Sequence, residues 1–289
     1  MRSPIRYFGG KGLMVKKLLP FISPHRQYVE VFGGGASLLF AKEPAKVETY
    51  NDIDQNVVNL FRVLREPKKF LKFYHFVCLT PYSRIEWNNA KDKLKEEKND
   101  IKRAYYFFVI QRQSFGGLGT GGWGFVLKKS SRGMAGQSSS WLSILELLPR
   151  IAERLMMVQI ECSDFRNILT SHDAPDTFFY LDPPYLPKTR RAGGYANELT
   201  QEDHEDLVKV LKNIKGKVML SGYPNELYDS LGWHKKCWQT VCSAVARTRG
   251  TNILGNGSLT KKQPRVECIW MNYDMVKEHL LFSRLDKTK

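Results

Sequence analysis

The sequence predicts an α/β fold built on a parallel sheet, and three observations predict it. A short apolar run over 28–32 (YVEVF) passes straight into Gly33, Gly34 and Gly35, with a helical apolar stretch over Ser37–Ala41 behind it. A second strand-like run over 46–50 precedes a helical pattern on Val57, Leu60, Phe61 and Leu64 that stops at Pro67. The alternation returns late in the chain. There the run 177–181 is followed by a helix with apolar face Leu207, Val210, Leu211 and Ile214, and then by a strand over 218–220. Strands separated by helices in this way pack as parallel neighbours joined by crossovers.

Taken in order, the elements start at 5–11 (IRYFGGK), after which an apolar-periodic stretch on Leu13, Leu18 and Leu19 ends at Pro20. Beyond residue 68 the character changes to a lysine-rich helical pattern over 88–98 and an aromatic run over 105–108. The window 114–140 then holds eight of the 22 glycines, six serines, Trp123 and the bases Lys128, Lys129 and Arg132, which predicts a mobile hairpin or loop region. Periodicity resumes on Leu142, Leu145, Leu148, Ile151 and Leu155, followed by a strand over 157–162. Thr200 and Asp203 have the spacing of a capping box, and Gly216 ends the helix they open. The middle third therefore reads as an insertion: 1–56 and 155–289 make a discontinuous sheet domain, and 57–154 the inserted one.

A chain of 289 residues, 42% hydrophobic and 26% charged, buries a sizeable core and is neither disordered nor collagen-like. Its longest strongly apolar run, 105–110, falls far short of a membrane span, and no apolar signal segment follows Met1, so the expected location is the cytoplasm. A net charge of +16, spread through the chain, points to a polyanionic partner, nucleic acid first. The five cysteines form no C-x-x-C pair and sit far from the histidines. They are expected to be free thiols, with neither a metal site nor a disulfide framework.

The glycine turn lets backbone approach a ligand closely, and Asp52 stands at the end of the next strand-like run, where nucleotide-binding α/β domains place an acceptor for ribose hydroxyls. A plain tight turn with a loop acid would look the same. The sharper signal is YLDPPY at 180–185, again at a strand end. Pro183 and Pro184 remove two amide donors and fix two φ angles, so carbonyls leave the strand exposed beside the Asp182 carboxylate. An exocyclic amine has two hydrogens to give, and a carboxylate with a proline carbonyl can take both, aiming the nitrogen lone pair at an electrophile. Tyr185 offers a face on which a flipped base can stack.

In this order, RYFGGK, VEVFGGGAS, NDID and YLDPPY resemble the Dam-type, alpha-group DNA adenine methyltransferases. The resemblance implies a Rossmann-like, S-adenosylmethionine-dependent sheet with an inserted, mostly helical target-recognition domain that carries a β-hairpin. It implies cofactor contacts from Tyr7, Lys11, Phe32 and Gly34, and a ribose contact from Asp52. Asp164 and Phe165 lie where relatives hold the cofactor's adenine, although Asp164 fits a helix N-cap equally well. Asp182, Pro183, Pro184 and Tyr185 match the catalytic block without departure, whereas Ala36 replaces a family glycine. The implied chemistry is in-line transfer of the sulfonium methyl to the 6-amino group of a flipped adenine, with no covalent intermediate and no metal. Transfer to cytosine N4, or to RNA, stays open as an alternative, and a non-catalytic DNA-binding module is a further rival.

The partner implied is double-stranded DNA. In GATC-specific relatives the segment matching 111–120 (QRQSFGGLGT) is a β-hairpin that reads bases. This chain keeps Arg112, Phe115 and Leu118, but has Thr120 in place of a guanine-reading arginine, which predicts a context looser than GATC. Arg6, Trp123, Lys128, Arg132, Arg247 and Lys261 are expected at the DNA as well, and Ser221 with Gly222 matches a later sheet motif of the family.

Overall fold

A computed structural model describes residues 1–7, 9–117, 119, 122–127, 129–186, 197–241 and 264–275. Seven strands form one sheet: β1 (Gln27–Glu30), β2 (Val47–Asn51), β3 (Gln159–Glu161), β4 (Thr177–Leu181), β5 (Lys217–Gly222), β6 (His234–Val241) and β7 (Pro264–Met271). Their spatial order is β3-β2-β1-β4-β5-β7-β6. The first five are mutually parallel, and β7 pairs antiparallel with both β5 and β6. The fold is thus a mixed α/β, Rossmann-like one with a mostly parallel sheet.

The chain runs outward from β1 to β3 on one side and returns at β4 to build the other side. The carboxyl ends of β1 and β4 therefore flank the point where strand order reverses, the place where open α/β sheets bind ligands. Both sheet faces are covered, as a period of two requires of a central strand. In β4, Phe178 and Tyr180 join one core while Phe179 and Leu181 join the other.

Helices α2 (Ser37–Ala41), α3 (Gln55–Arg65), α4 (Pro67–Cys78), α5 (Arg84–Leu94), α6 (Asp100–Gln113), α7 (Gly136–Leu145) and α8 (Leu148–Met156) follow the short α1 (Val15–Leu18). Phe61, Phe73, Phe108, Trp141 and Ile151 from these helices share one continuous core with Tyr28 and Tyr50 of the sheet. On the opposite face, α9 (Phe165–Ser171), α10 (Gln201–Leu211) and α11 (Glu226–Asp229) pack against Val29, Phe179 and Trp270. Thr200 and Asp203 form the capping box at the start of α10. Among the described residues no helix is long and apolar enough to cross a membrane.

The apolar period from Leu142 to Leu155 is carried by two helices, because Pro149 sits in the first turn of α8 and starts it afresh. Two expectations are corrected. The last residues of the glycine- and serine-rich window are helical: 136–140 open α7, just after a two-residue ladder at Ser130–Ser131 and Met134–Ala135. Cys237 and Cys268 are joined in a disulfide, and only Cys78 and Cys162 are free thiols among the described residues. They lie 31 residues apart with no spacing signature, and only the antiparallel register of β6 with β7 sets them opposite each other.

Candidate active site

A cleft opens at the carboxyl ends of β1, β2 and β4, lined by Tyr7, Lys11, Phe32, Gly34, Asp52 and Asp182 among others. The glycine turn forms its floor. The Gly33 amide donates to the Asn51 carbonyl at 2.8 Å, and the Ala36 amide to the Gly33 carbonyl at 2.7 Å. Gly34 takes φ 46° and Ala36 φ 53°, both left-handed. The alanine that stands for a family glycine therefore carries a backbone strain of roughly 1–2 kcal/mol. A Cβ on Gly34 would come within 2.8 Å of the Tyr7 ring, so that ring lies flush on the loop.

Asp52 ties the loop to the end of β2. Its Oδ2 accepts the Gly34 amide at 2.6 Å and its Oδ1 the Asp54 amide at 2.8 Å. Burial outweighs these bonds and lifts its pKa to about 6. Asp54 caps α3 and also accepts the Tyr7 hydroxyl at 2.9 Å, so Tyr7 is held by a side chain two residues from Asp52. Phe32 and the buried Phe165 meet with ring centroids 5.5 Å apart at the far wall. Asp164 accepts the Arg166 amide at 2.8 Å and is the N-cap of α9.

Sequence reasoning missed two residues here. Asn51 bonds the Val31 carbonyl and both the carbonyl and amide of Ser163, joining three segments of the wall. Glu30 accepts the Tyr28 hydroxyl and the Leu39 amide, and burial pushes its pKa up to about 8. Both stand inside quoted motifs, but as second-row residues whose part depends on which loop reaches them.

At the end of β4, Asp182 accepts the Lys11 ammonium at 2.6 Å and the Ser221 hydroxyl at 2.9 Å, both on Oδ1. Lys11, expected at the cofactor, lines the cleft and is held there by Asp182. It also donates to the Tyr185 hydroxyl. Burial alone would pull the ammonium down, yet Asp182 and Glu267 hold it above its ordinary value. Tyr185 is buried, with the Tyr223 ring centroid 4.2 Å away, and its hydroxyl donates to Glu267 at 2.6 Å. Glu267, on β7, had no signal in the sequence at all.

A second group of expected residues gathers around α6 and the N-terminal segment. Of the segment 111–120 expected as a hairpin, 111–113 finish α6, and an antiparallel bridge pairs Ser114 with Trp123. The helix stops there because Ser114 takes an extended conformation, φ −71° and ψ 148°. Arg112 is consequently buried, donating to the Ser140 carbonyl at 3.1 Å and to its hydroxyl at 3.2 Å. Arg6 reaches the same hydroxyl at 3.2 Å. No ion pair is formed by either guanidinium among the described residues, and burial followed by Arg6 and Arg2 pulls Arg112 down to about 9. Phe115 is exposed, and Trp123 stacks on Phe125 beneath the Arg84 guanidinium. Arg132 is engaged by Glu146, Ser139 and Ser143. Leu118, Thr120, Lys128, Arg247 and Lys261 lie outside the described residues. Among the described residues no cluster of three or more metal-ligating side chains occurs.

Residues 7–242 match the model of a family described as D12 class N6 adenine-specific DNA methyltransferase. No curated protein matches the chain.

Proposed function

The chain belongs to the D12 class N6 adenine-specific DNA methyltransferases, and from that premise we propose that this cleft is where it methylates adenine. The observation that carries the reading is Asp182: it leaves β4 into the same cleft whose floor is the Gly33–Ala36 turn, with one carboxylate oxygen already engaged by Lys11 and Ser221. Its other oxygen, with the carbonyl of Pro183, takes the two hydrogens of the target amine and turns the lone pair toward the cleft.

Methyltransferases of this kind use S-adenosylmethionine, and the chemistry of the donor set fits it. Asp52 presents a carboxylate with only backbone donors on it, suited to ribose hydroxyls, while Phe32 and Phe165 offer apolar rings to a base. Tyr7 and Gly34 close the floor against which the methionine portion would lie. When bound, the cofactor supplies the electrophilic methyl group; Asp182, Pro183, Pro184 and Tyr185 orient the nucleophile.

Asp52 gives the cofactor reading a pH signature. Its pKa of about 6 lies above the ordinary carboxylate value, so the folded protein favours its neutral form and is destabilised as pH rises through 6. The ionised form is the better ribose acceptor. S-adenosylmethionine affinity is expected to fall below pH 6 in the wild type and to be weaker and flat with pH in Asp52→Asn. Without cofactor, that variant should melt higher than wild type above pH 7. Calorimetry and thermal melts across pH 5–8 check both, and an unchanged affinity would make Asp52 a loop acid only.

For DNA, we assign residues 57–154 as the target-recognition unit, with its Phe115 and Trp123, and Arg6 of the N-terminal segment, toward the duplex and Arg112 buried behind them. A buried guanidinium with no ion pair, beside two more arginines, is a costly arrangement that an incoming phosphate relieves. With a net charge of +16, binding should weaken steeply with salt, by about 10³-fold or more between roughly 50 and 200 mM. A flat dependence would contradict it. We further propose that the methylated context is looser than GATC, because threonine at 120 cannot reproduce a bidentate arginine contact. Tritium transfer to unmethylated DNA with nucleoside analysis tests the reaction, and mapping modified adenines in expressing cells tests the context.

A further inference from the structure

We propose that Glu267 is a positioning residue for methyl transfer, acting on Asp182 through the Tyr185 hydroxyl and the Lys11 ammonium. The inference rests on Asp182 being the acceptor of the target amine. Three side chains from two parts of the chain meet at Lys11. Its ammonium lies 2.6 Å from Asp182 and 3.9 Å from Glu267, and it donates to the Tyr185 hydroxyl. That hydroxyl has a single proton, and it gives it to Glu267 at 2.6 Å. The direction of the chain is thereby fixed: Lys11 donates to Tyr185, and Tyr185 donates to Glu267.

Two consequences follow for the reacting group. The Tyr185 oxygen is left with only acceptor capacity toward Lys11, which holds the ammonium on the side of the Asp182 oxygen that Ser221 also occupies. Glu267 also shares the positive charge, so Lys11 does not neutralise Asp182 alone. A carboxylate fully matched by its own ammonium would be a poorer acceptor for the amine. The groups facing Glu267 are Lys11 and Tyr185 from the first and catalytic motifs, Asp182 beyond them, and Arg265 on its own strand, whose guanidinium lies over the Tyr223 ring. Burial is the largest influence on Glu267 and raises its pKa; Lys11, Tyr185 and Arg265 oppose it and Asp182 adds to it. Its place on β7 opposite Trp238 makes the position part of the sheet rather than of a loop.

The test uses the full chain at saturating S-adenosylmethionine and unmethylated DNA, which removes the contribution of Asp52. Single-turnover rates are measured against pH for the wild type, Glu267→Gln, Glu267→Asp and Asp182→Ala, with cofactor and DNA affinities and melting temperatures alongside. Glu267→Gln is expected to lose roughly 10- to 100-fold in rate, as a misplaced reacting group does, with both affinities within about twofold of wild type on that same geometric argument. The wild-type rate should decline with falling pH above the ordinary carboxylate range, and that part of the decline should vanish in Glu267→Gln. Glu267→Asp, which keeps the charge, should recover part of the rate. A wild-type rate in Glu267→Gln while Asp182→Ala is inactive would overturn the inference alone. Equal losses of rate, affinity and melting temperature would also overturn it, in favour of a purely structural part for Glu267. Turnover in Asp182→Ala would instead remove the reading on which it rests.

Discussion

Methyl transfer by Asp182→Ala is expected to fall by a factor on the order of 10² or more, the usual consequence of removing an oriented polar partner of the reacting atoms. The loss belongs to the chemical step, because Asp182 is engaged by Lys11 and Ser221 and not by the glycine turn or Asp52. Cofactor affinity should therefore change only moderately. Asp182→Asn separates shape from charge: it keeps one acceptor oxygen but turns an NH₂ group toward either Lys11 or the amine. Single-turnover rates beside calorimetric affinities decide the matter, and near-wild-type turnover in either variant would remove Asp182 from the chemistry.

The second large effect is expected at the opposite wall. A Cβ on Gly33 would sit 2.1 Å from the Tyr50 ring, which is fully buried and whose hydroxyl donates to the Gly34 carbonyl at 2.8 Å. Neither side can yield cheaply: moving the ring breaks a bond to the loop, and moving the loop displaces the Gly34 amide from Asp52. Gly33→Ala should destabilise the protein by about 1–3 kcal/mol, the range of overpacked cores. Because the displaced element is the cleft floor, S-adenosylmethionine affinity should drop by roughly tenfold or more, about 1.4 kcal/mol. Thermal melts and calorimetry on the same preparation check the pair, and a variant with unaltered melting and affinity would show that the turn does not depend on Tyr50.

What could be foreseen from sequence divides along local and non-local lines. The strand at 177–181, the capping box at Thr200, and the placing of Asp52 and Asp182 at strand ends are local matters of period, cap and turn. The partners of those residues are not. Glu267 reaches Tyr185 only because β7 is antiparallel to β5, and Cys237 meets Cys268 only through strand register. Arg112 shows the opposite failure. Its motif suggested a side chain projecting from a hairpin, but the helix begun at Asp100 runs on to Gln113 and buries it. Lys11 could be placed at the cleft from its motif, but its bond to Asp182 could not, since that pairing spans 171 residues.

The reversal of strand order between β1 and β4 also governs how the protein comes into being. The central ladder joins Gln27 to Thr177 across roughly 150 residues, a contact order typical of slow-folding topologies. At the usual pace of translation the nascent β1, already able to pair with β2, waits roughly 8 to 30 s for its second partner. Meanwhile the helices from Gln55 to Met156, joined by local contacts, can settle on the face that carries Tyr28 and Tyr50. They cover an apolar face that would otherwise stay exposed while the sheet is incomplete. The cleft, made from both sides of that late ladder, cannot exist before β4 does.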